Sequence, residues 1–409
     1  MSEGLGTMEQ ITTGFIPLTD SMLLVAAREC GFAEEEGISL VLVRETSWAN
    51  IRDRVTVGHF DAAHMLAPMP VAASLGLTPL DIRIIAPMAL GLGGNAITVS
   101  GQLWSEMADA GASAGFDPAV NGKALCEVAA RRAKTGEAVL RFGVVHPFSG
   151  HNFELRYWLA ACGIDPDKDI EIVIVPPPLM ADALASGQLD GFCVGEPWNS
   201  VAVERGAGRI ATVKAAIWKS SPEKVLGVRD DWAIANPDLL ASLLRALYRA
   251  SRWCEDPANH KTIATILARD AYLGVDAGLI ARALSGCIMP ALGAAGIVPD
   301  FFIPHRCAAT FPWESHALWF YSQMVRWGLV DHCADNARVV RGVYRPDLYR
   351  AALAPLGAAM PSANAKVEGA LARSSGVGSS TGGLSLGPDG FFDGKVFDPD
   401  DLDGYIADF

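Results

Sequence analysis

The sequence predicts an α/β protein with two lobes and a ligand cleft between them. Apolar strand-like segments alternate with helical segments in the first 98 residues, which is typical of α/β units around a largely parallel sheet. The same alternation begins again after residue 99, and an extended segment near residue 225 leads into a run of helices. Ligands of such sheets bind at the carboxyl ends of the strands, so we expect the cleft there.

The elements of the first lobe follow from local patterns. Apolar strands at residues 10–18 and 38–45 flank a helix at 21–34, for which Asp20 is the expected N-cap. Ser47 is the expected cap of the next helix, which ends at Gly58. Pro68 then opens a further helix. The remaining strands of this lobe are expected at residues 60–65, 82–87 and 95–100.

The second lobe repeats the pattern, and the chain then returns to the first. Strands are expected at residues 140–145, 170–175 and 191–194, with helices at 151–162 and 179–185 and another opening at Glu196-Pro197-Trp198. After the return strand at 225–229, helices are expected at residues 237–255, 261–269, 278–284 and 315–327. Residues 8–98 and 215–356 are therefore assigned to lobe 1, and residues 99–214 to lobe 2.

The C-terminal residues have a different composition. Residues 357–390 are largely rich in Ala, Gly and Ser and are expected to form a flexible linker. Residues 391–409 form an acidic tail with five aromatic side chains. Two interpretations of this tail stay open: a disordered solvated end, or a segment that docks through its aromatic rings on this chain or on a partner.

The composition excludes several classes of protein. The chain has 409 residues, of which 50% are hydrophobic, and a net charge of -13. Such a chain is not mostly disordered, and its charge argues against direct binding of nucleic acid or of an anionic membrane. No stretch of about 20 uninterrupted apolar residues predicts a membrane span. The start lacks the basic and apolar pattern of a secretory signal, and the eight cysteines form no C-x-x-C pair, so we expect a cytoplasmic protein.

Two familiar catalytic motifs are missing from the sequence. It contains no G-x-x-x-x-G-K-[ST] and no H-E-x-x-H motif. The eight histidines are not accompanied by a C-x-x-C pair of the kind that completes many zinc sites. We therefore expect neither an enzyme nor a bound cofactor or metal.

The segment from His146 to His151 is the strongest local indication of a binding site. A strand ends in Val144-Val145, a loop turns, and a helix begins near His151. The start of a helix presents unpaired N–H groups and a partial positive charge, which favour an anion. The alternative is a histidine that only caps its own helix.

Three further residues are candidates, each with a plainer alternative. Lys224 follows the polar turn that contains Pro222 and offers a positive charge, although a solvated surface lysine is commoner. Trp48 suits the wall of a pocket for a small planar ligand, or simply the core. Pro177, in a run of three prolines, forms either a rigid pocket edge or the end of a strand.

The chain resembles a known family through several segments. These are GFIPLTD, ETSWANIRD, DAAHMLAPMP, RYWLAACGIDPDKD, VPPPLM, FCVGEPWN and WKSSPEK. They are similar to the nitrate- and bicarbonate-binding proteins of bacterial ABC transporters, the NrtA/CmpA family, from about Gln10 to about Leu356. The resemblance implies a two-lobed, periplasmic-binding-protein-like (type II) C-clamp with the ligand in the cleft.

The resemblance also implies a nitrate pocket. Its residues map onto Trp48, Asn95, His151, Pro177 and Lys224. The family's nitrate binders carry a lysine at the position of Lys224, whereas the bicarbonate binders carry a glutamate and use calcium. Two positions differ from the pattern: Asn95 replaces a longer glutamine, and the family's Gly-Gly-Thr-His turn here is Phe-Ser-Gly-His, ending at His151.

Because a cytoplasmic location is expected, the resemblance implies a regulatory role. A cytoplasmic member is similar to the NasS-type nitrate and nitrite sensors, which hold an ANTAR-domain, RNA-binding antiterminator of NasT type and release it when the ligand binds. That would regulate genes of nitrate assimilation. The alternative is the nitrate-binding component of an ABC transporter. From the enzyme class, a pyrimidine-precursor synthase of similar fold would need a pyridoxal-phosphate-linked lysine.

Overall fold

Two five-stranded sheets form the framework of the molecule in the computed structural model, which describes residues 8–409. The strands are β1 (Glu9–Phe15), β2 (Ile38–Arg44), β3 (Ala62–Leu66), β4 (Ile84–Ala89), β5 (Leu92–Gly93), β6 (Asn95–Ser100), β7 (Leu140–Val144), β8 (Ile170–Ile174), β9 (Gly191–Gly195), β10 (Gly208–Val213), β11 (Lys224–Arg229), β12 (Phe302–Ile303), β13 (Ser375–Val377) and β14 (Leu384–Leu386).

Helices cover these sheets. They are α1 (Met22–Glu29), α2 (Phe32–Glu35), α3 (Trp48–Thr56), α4 (Pro68–Ser74), α5 (Gly101–Asp109), α6 (Pro118–Thr135), α7 (Gly150–Ala161), α8 (Met180–Ala185), α9 (Trp198–Glu204), α10 (Lys214–Ile217), α11 (Asp230–Ala235), α12 (Pro237–Glu255), α13 (His260–Leu267), α14 (Ala277–Leu284), α15 (Glu314–Arg326), α16 (Ala334–Arg341), α17 (Pro346–Leu353) and α18 (Leu402–Ala407). Short 3₁₀ helices lie at Thr19–Ser21, Pro177–Leu179, Pro257–Asn259 and Ala354–Leu356.

The two sheets belong to different lobes. The first has the order β2-β1-β3-β11-β4, with β1 parallel to β2 and β3, and β11 antiparallel to both of its neighbours. The second has the order β10-β6-β9-β7-β8, parallel from β9 to β8 and antiparallel at the other end. The predicted two-lobed α/β fold is confirmed.

The chain passes between the lobes at residues 90–94 and again at residues 214–223. These two crossings lie side by side, because Gly93 N donates to Ser221 O at 2.9 Å and Leu90 N donates to Lys224 O at 2.8 Å. The predicted boundary at residue 98 falls inside a strand. Asn95 already pairs with Gly195 in the second sheet, so the first crossing ends before residue 95.

Two other local predictions differ from the structure. The helix expected at residues 21–34 is interrupted at Gly31, which has a φ of +82° that ends α1 and starts α2. Lys224, expected at the end of a polar turn, is the first residue of β11 and is buried. Strand pairing with Leu66 fixes this position, and the local turn pattern gave no indication of it.

The segment at residues 357–390 is not the flexible linker that its composition predicts. It forms the antiparallel hairpin of β13 and β14. It also carries a buried ionic group in which Lys366 Nζ contacts Glu368 and lies 2.8 Å from Asp389 Oδ2. Ser315 on α15 donates to Glu368 Oε1 at 2.6 Å, so this group fastens the segment to lobe 1. Composition alone cannot show such long-range pairing.

The acidic tail docks on this chain in the structure. The ring of Phe391 stacks on Trp218, with centroids 4.5 Å apart, and lies 5.5 Å from the ring of Tyr157 on α7. The hydroxyl of Tyr157 donates to Asp393 at 2.9 Å. The tail therefore contacts both lobe 2 and the second crossing.

Of the helices within residues 8–409, none is both long and apolar enough to span a lipid bilayer.

Candidate functional site

The candidate site lies where both sheets approach the second crossing. Lys224 stands at its centre and is buried. Its ammonium lies 2.8 Å from Oδ2 of Asp20, in the 3₁₀ helix after β1, and 2.7 Å from Oε1 of Glu223. Burial alone would lower the pKa of Lys224, but Asp20 and Glu223 outweigh it and raise that pKa. Lys224 is therefore a buried cation held by two carboxylates.

A second lysine completes an ionic chain. Lys214 Nζ lies 2.5 Å from Oε2 of Glu223 and 2.8 Å from Oε1 of Glu154 on α7. Burial raises the pKa of Glu154 to about 8, although Lys214 opposes the shift. Burial would also raise the pKa of Glu223, but the two charged lysines beside it hold that pKa well below its usual range. Glu223 thus lies between two cations.

His151 occupies the first turn of α7, as the sequence predicts, but it does not cap the helix. Ser149 is the cap, and its hydroxyl accepts from Asn152 N at 3.0 Å. The His151 ring is buried, with Nε2 3.4 Å from Oε1 of Glu223. Burial lowers the pKa of His151 to about 3, so the ring is neutral. Its role as its own helix cap is excluded, which leaves the ring free for another contact.

Trp48 and His64 form the first-lobe wall of the site. Trp48 opens α3 after the cap Ser47, and its ring centroid lies 5.4 Å from that of His64 on β3. Lys224 Nζ lies 5.5 Å from the Trp48 centroid, within cation–π range. His64 Nε2 lies 3.0 Å from Oδ1 of Asp20. Trp48 therefore borders the ionic chain.

Asn95 approaches from the second lobe. It begins β6 opposite Gly195 on β9, and its side chain is fully buried. A Cβ atom added at Gly195 would lie 3.2 Å from Oδ1 of Asn95 and 3.6 Å from Oδ2 of Asp20. Glycine at this position leaves the space between the two side chains open.

Pro177 lies in the short 3₁₀ helix after β8 and is buried. This is the same sheet edge as the start of α7, because Val175 N donates to Val144 O at 2.9 Å. Within residues 8–409, the hydrogen bonds, ion pairs and aromatic contacts that define the cluster do not include Pro177. The structure thus brings together Trp48, Asn95, His151 and Lys224, while Pro177 stays at the edge.

Several polar atoms of the cluster are buried without a hydrogen-bond partner in the described part of the chain. The nitrogen-bearing ones are Trp48 Nε1, the amide of Asn95, and both ring nitrogens of His64 and of His151, and the carboxyl oxygens among them are Oδ1 of Asp20 and both oxygens of Glu154. Buried polar groups normally have partners, so a concentration of exceptions indicates a place for a polar ligand. Between residues 8 and 409, no group of three or more His, Cys, Asp or Glu side chains is placed to hold a metal ion.

The sequence predictions missed most of the charged partners. Asp20 was expected only as a helix cap, and Glu223, Lys214, Glu154 and His64 were not singled out. Glu154 follows His151 by three positions, so the two share a helix face. That spacing could have indicated Glu154. Glu223 directly precedes the predicted Lys224, and its position could have indicated it as well. Asp20 and His64 are brought in by chain segments far from Lys224 in sequence, and local patterns do not show them.

Comparison with known proteins now identifies the family. The model of the NMT1-like family matches residues 6–268 of the chain. The chain belongs to the NMT1-like family. Within it, the chain is 34% identical over 407 residues to the nitrate/nitrite binding protein NrtA of Synechococcus elongatus, which covers 97% of this chain and 85% of NrtA.

Other relatives of this NMT1-like protein are longer. It is 37% identical over 401 residues to the nitrate import ATP-binding protein NrtC of Synechocystis, covering 97% of this chain but only 54% of NrtC. The chain therefore spans about half the length of such relatives. The bicarbonate transport ATP-binding protein CmpC of Synechococcus elongatus is 34% identical over 84% of this chain and 49% of its own length.

Solved structures confirm the fold of this NMT1-like protein. The crystal structure of the periplasmic nitrate-binding protein NrtA from Synechocystis PCC 6803 superposes with a TM-score of 0.85 and 28% identity, covering 98% of both chains. The ligand-binding component of an ABC-type import system from Staphylococcus aureus, with a TM-score of 0.62 and 16% identity over 84% of this chain and 99% of its own, shares the fold alone. The resemblance to the NrtA/CmpA family is confirmed, and so is the prediction that the chain is not an enzyme, because the NrtA relatives that it matches over most of their length are binding proteins.

Proposed function

We propose that this protein binds nitrate or nitrite in the cleft around Lys224. The observation that carries the proposal is the group of buried donors without partners on Trp48, Asn95 and His151, drawn from both lobes around one lysine. Nitrate and nitrite are small planar anions that accept hydrogen bonds and donate none. A site that gathers N–H groups beside a cation suits such a ligand. The relatives named as nitrate/nitrite binding proteins support the same choice.

Each proposed binding residue has a distinct part. Lys224 supplies the charge, and the first turn of α7 with His151 supplies donors at a helix start. Asn95 donates through Nδ2, and Trp48 contributes its ring or its Nε1. Pro177 closes the edge of the pocket beside the α7 turn. A lysine attracts an anion directly, without a bridging calcium ion.

Calorimetric titration of sodium nitrate into the purified full chain tests this proposal, with nitrite, chloride and bicarbonate as comparison anions. Lys224→Glu should abolish nitrate binding, because an attraction becomes a repulsion in a buried site. His151→Ala should weaken it by about 1–3 kcal/mol through the loss of one hydrogen bond to a charged group. Lys219→Glu is the matched control: Lys219 is exposed and five residues from Lys224, and its variant should bind nitrate normally. Unchanged binding in both pocket variants would place the ligand elsewhere.

The finer part of the proposal is a cytoplasmic sensor. In this scheme the ligand-free protein sequesters an ANTAR-type antiterminator of NasT type and releases it when nitrate closes the lobes, which regulates genes of nitrate assimilation. The net charge of -13 supports a basic, RNA-binding protein partner over RNA itself. The resemblance to NasS-type sensors supports a cytoplasmic location, which is proposed together with the sensor role.

Linkage makes the sensor role measurable. If nitrate weakens the partner complex, the partner must weaken nitrate binding by the same factor, roughly 5–150-fold for a typical coupling. Nitrate is titrated into the sensor with and without the antiterminator. Equal affinities in the two titrations would contradict the sensor role while leaving nitrate binding intact.

The alternative is the nitrate-binding component of an ABC transporter, and the similarity to NrtA and to the import protein NrtC favours it. A pull-down of the native protein distinguishes the two roles. The sensor retains a soluble RNA-binding protein that nitrate releases. The transport component instead associates with membrane subunits and lies outside the cytoplasm on cell fractionation.

A further inference from the structure

The charges of the candidate site cancel before any ligand enters. Lys214 and Lys224 are the two cations, and Asp20 and Glu223 are the two carboxylates that face them. Burial raises the pKa of Glu154 to about 8, so this third carboxyl holds its proton at neutral pH. The cluster is fully enclosed by protein and formally neutral.

An anion that enters such a site alone leaves one uncompensated negative charge away from water. Burying an unpaired charge is expensive, and proteins usually avoid the cost by moving a proton. The two histidines of the cluster are the groups able to accept one, because burial lowers the pKa of both His64 and His151 and leaves their rings neutral.

His64 is the better acceptor for geometric reasons. Its Nε2 lies 3.0 Å from Oδ1 of Asp20, a carboxylate paired with one lysine. The Nε2 atom of His151 lies 3.4 Å from Glu223, which already faces two lysines. His151 also sits at a helix start, where the helix dipole opposes a cation.

The hydrogen-bonding capacity of an imidazole ring also favours His64 as the proton acceptor. A neutral imidazole has one N–H and one bare nitrogen, whereas an imidazolium donates from both. In a neutral His64 one ring nitrogen carries no hydrogen. That bare nitrogen is either Nε2, which faces the carboxylate of Asp20, or Nδ1, on the other side of the ring. In the structure Nε2 lies 3.0 Å from Oδ1 of Asp20 without hydrogen-bond geometry, and Nδ1 has no partner among residues 8–409. Protonation lets the ring donate to Asp20 and to an anion at once.

We propose that the site takes up one proton with each nitrate, and that His64 receives it. The inference rests on the proposed nitrate function and adds its regulation: the protein responds to nitrate and protons jointly. His64 thereby positions the anion as a protonated donor beside Trp48, while His151 stays neutral. The charged groups acting on His64 are Asp20, Lys224 and Glu223, and the Trp48 ring covers it.

The sign of the pH effect follows from linkage. If the bound state holds one more proton than the free state, lower pH favours binding. The Kd for nitrate should therefore rise with pH, by about tenfold for each pH unit, between the pKa of the free ring and the pKa of the bound ring, and flatten above the latter. A site that binds the anion alone shows a Kd independent of pH in this range.

Calorimetry counts the protons directly. Sodium nitrate is titrated into the full chain at about pH 7 in PIPES and in imidazole of equal ionic strength, whose ionisation enthalpies differ. The wild-type heat should depend on the buffer, with close to one proton taken up per nitrate. His64→Gln should still bind nitrate, more weakly, without buffer dependence. His151→Gln should bind more weakly and keep the buffer dependence.

The controls keep the outcomes distinct. Burial raises the pKa of Glu196 to about 7, so Glu196→Gln is measured beside the histidine variants and should retain the uptake. Nitrate binding without proton uptake in the wild type overturns this inference and leaves the binding function standing. Uptake that survives in His64→Gln overturns the assignment to His64. The absence of nitrate binding at every pH overturns both. His64→Asn is a second variant if the glutamine form fails to fold.

Discussion

The ammonium of Lys224 lies 2.8 Å from Oδ2 of Asp20, although 204 residues separate the two in sequence. The pair joins the end of β1 to the start of the return strand β11. Burial would raise the pKa of Asp20, but Lys224 and His64 lower it to about 2. The lysine that is expected to attract the anion is therefore neutralised in part by a carboxylate of its own lobe.

Asp20→Asn should lower the stability of the free protein but strengthen its binding of nitrate. The change leaves the buried Lys224 paired with Glu223 alone, so the free energy of unfolding of the free protein should fall, but by less than the roughly 3–5 kcal/mol that follows the complete loss of a buried partner. The same change leaves the positive charge of Lys224 less compensated, so nitrate should bind more tightly. Bound nitrate should therefore restore part of the lost free energy of unfolding. Urea unfolding with and without nitrate measures both effects.

The matched control is Asp335→Asn, in the exposed pair with Arg338. That change should cost only about 0–1 kcal/mol and should not alter nitrate binding. Weaker nitrate binding by Asp20→Asn would contradict the assigned charge balance.

Glu368→Gln should change how stability depends on acid pH. Burial would raise the pKa of Glu368, but Lys366 and His316 lower it to about 2, well below its usual 4.5. A depressed pKa contributes stability above the unfolded value, and this contribution is lost as the pH falls from about 4.5 towards 2. The wild type should therefore exceed the variant by roughly 3 kcal/mol at neutral pH, and the difference should shrink in acid. Urea unfolding at a series of pH values measures this. A difference independent of pH would contradict it.

Phe391→Ala should loosen the tail. Phe391 is 6% exposed and stacks on Trp218, so its truncation removes a large buried ring and should cost about 3–5 kcal/mol. The tryptophan emission should shift to the red as Trp218 meets water. Phe409→Ala is the control, because Phe409 is 41% exposed and its loss should cost about 1 kcal/mol or less. Equal effects of the two changes would show that the tail does not dock as described.

Ser149→Ala should weaken nitrate binding without touching the anion. The hydroxyl of Ser149 caps α7, and its loss should cost about 0.5–2 kcal/mol of stability. The first turn, which carries His151, then frays and presents its donors less well. Calorimetry of the nitrate complex and thermal unfolding check both effects. Ser149→Thr keeps a capping hydroxyl and should restore both.

Much of the fold was predictable because its causes are local. Ser47 does cap the helix that begins at Trp48, and Pro68 does open α4. The strands at residues 38–44 and 140–144 lie within the predicted segments. The longest helix without a sequence prediction is α6, Pro118–Thr135, although its cap Asp117 and its first-turn proline are local features.

The sequence by itself determined the two-lobed architecture, a buried tryptophan after a capped helix start, and a helix that begins beside His151. Apolar periodicity, caps and turn residues act within a few positions, so they can be read along the chain. Only the tertiary structure decided that Lys224 pairs with Asp20 and Glu223, that His64 faces Asp20, and that the tail lies against Trp218. Apart from the pair of Lys224 with its neighbour Glu223, these contacts join residues far apart in sequence, and burial, which no local pattern specifies, sets the charges that they carry.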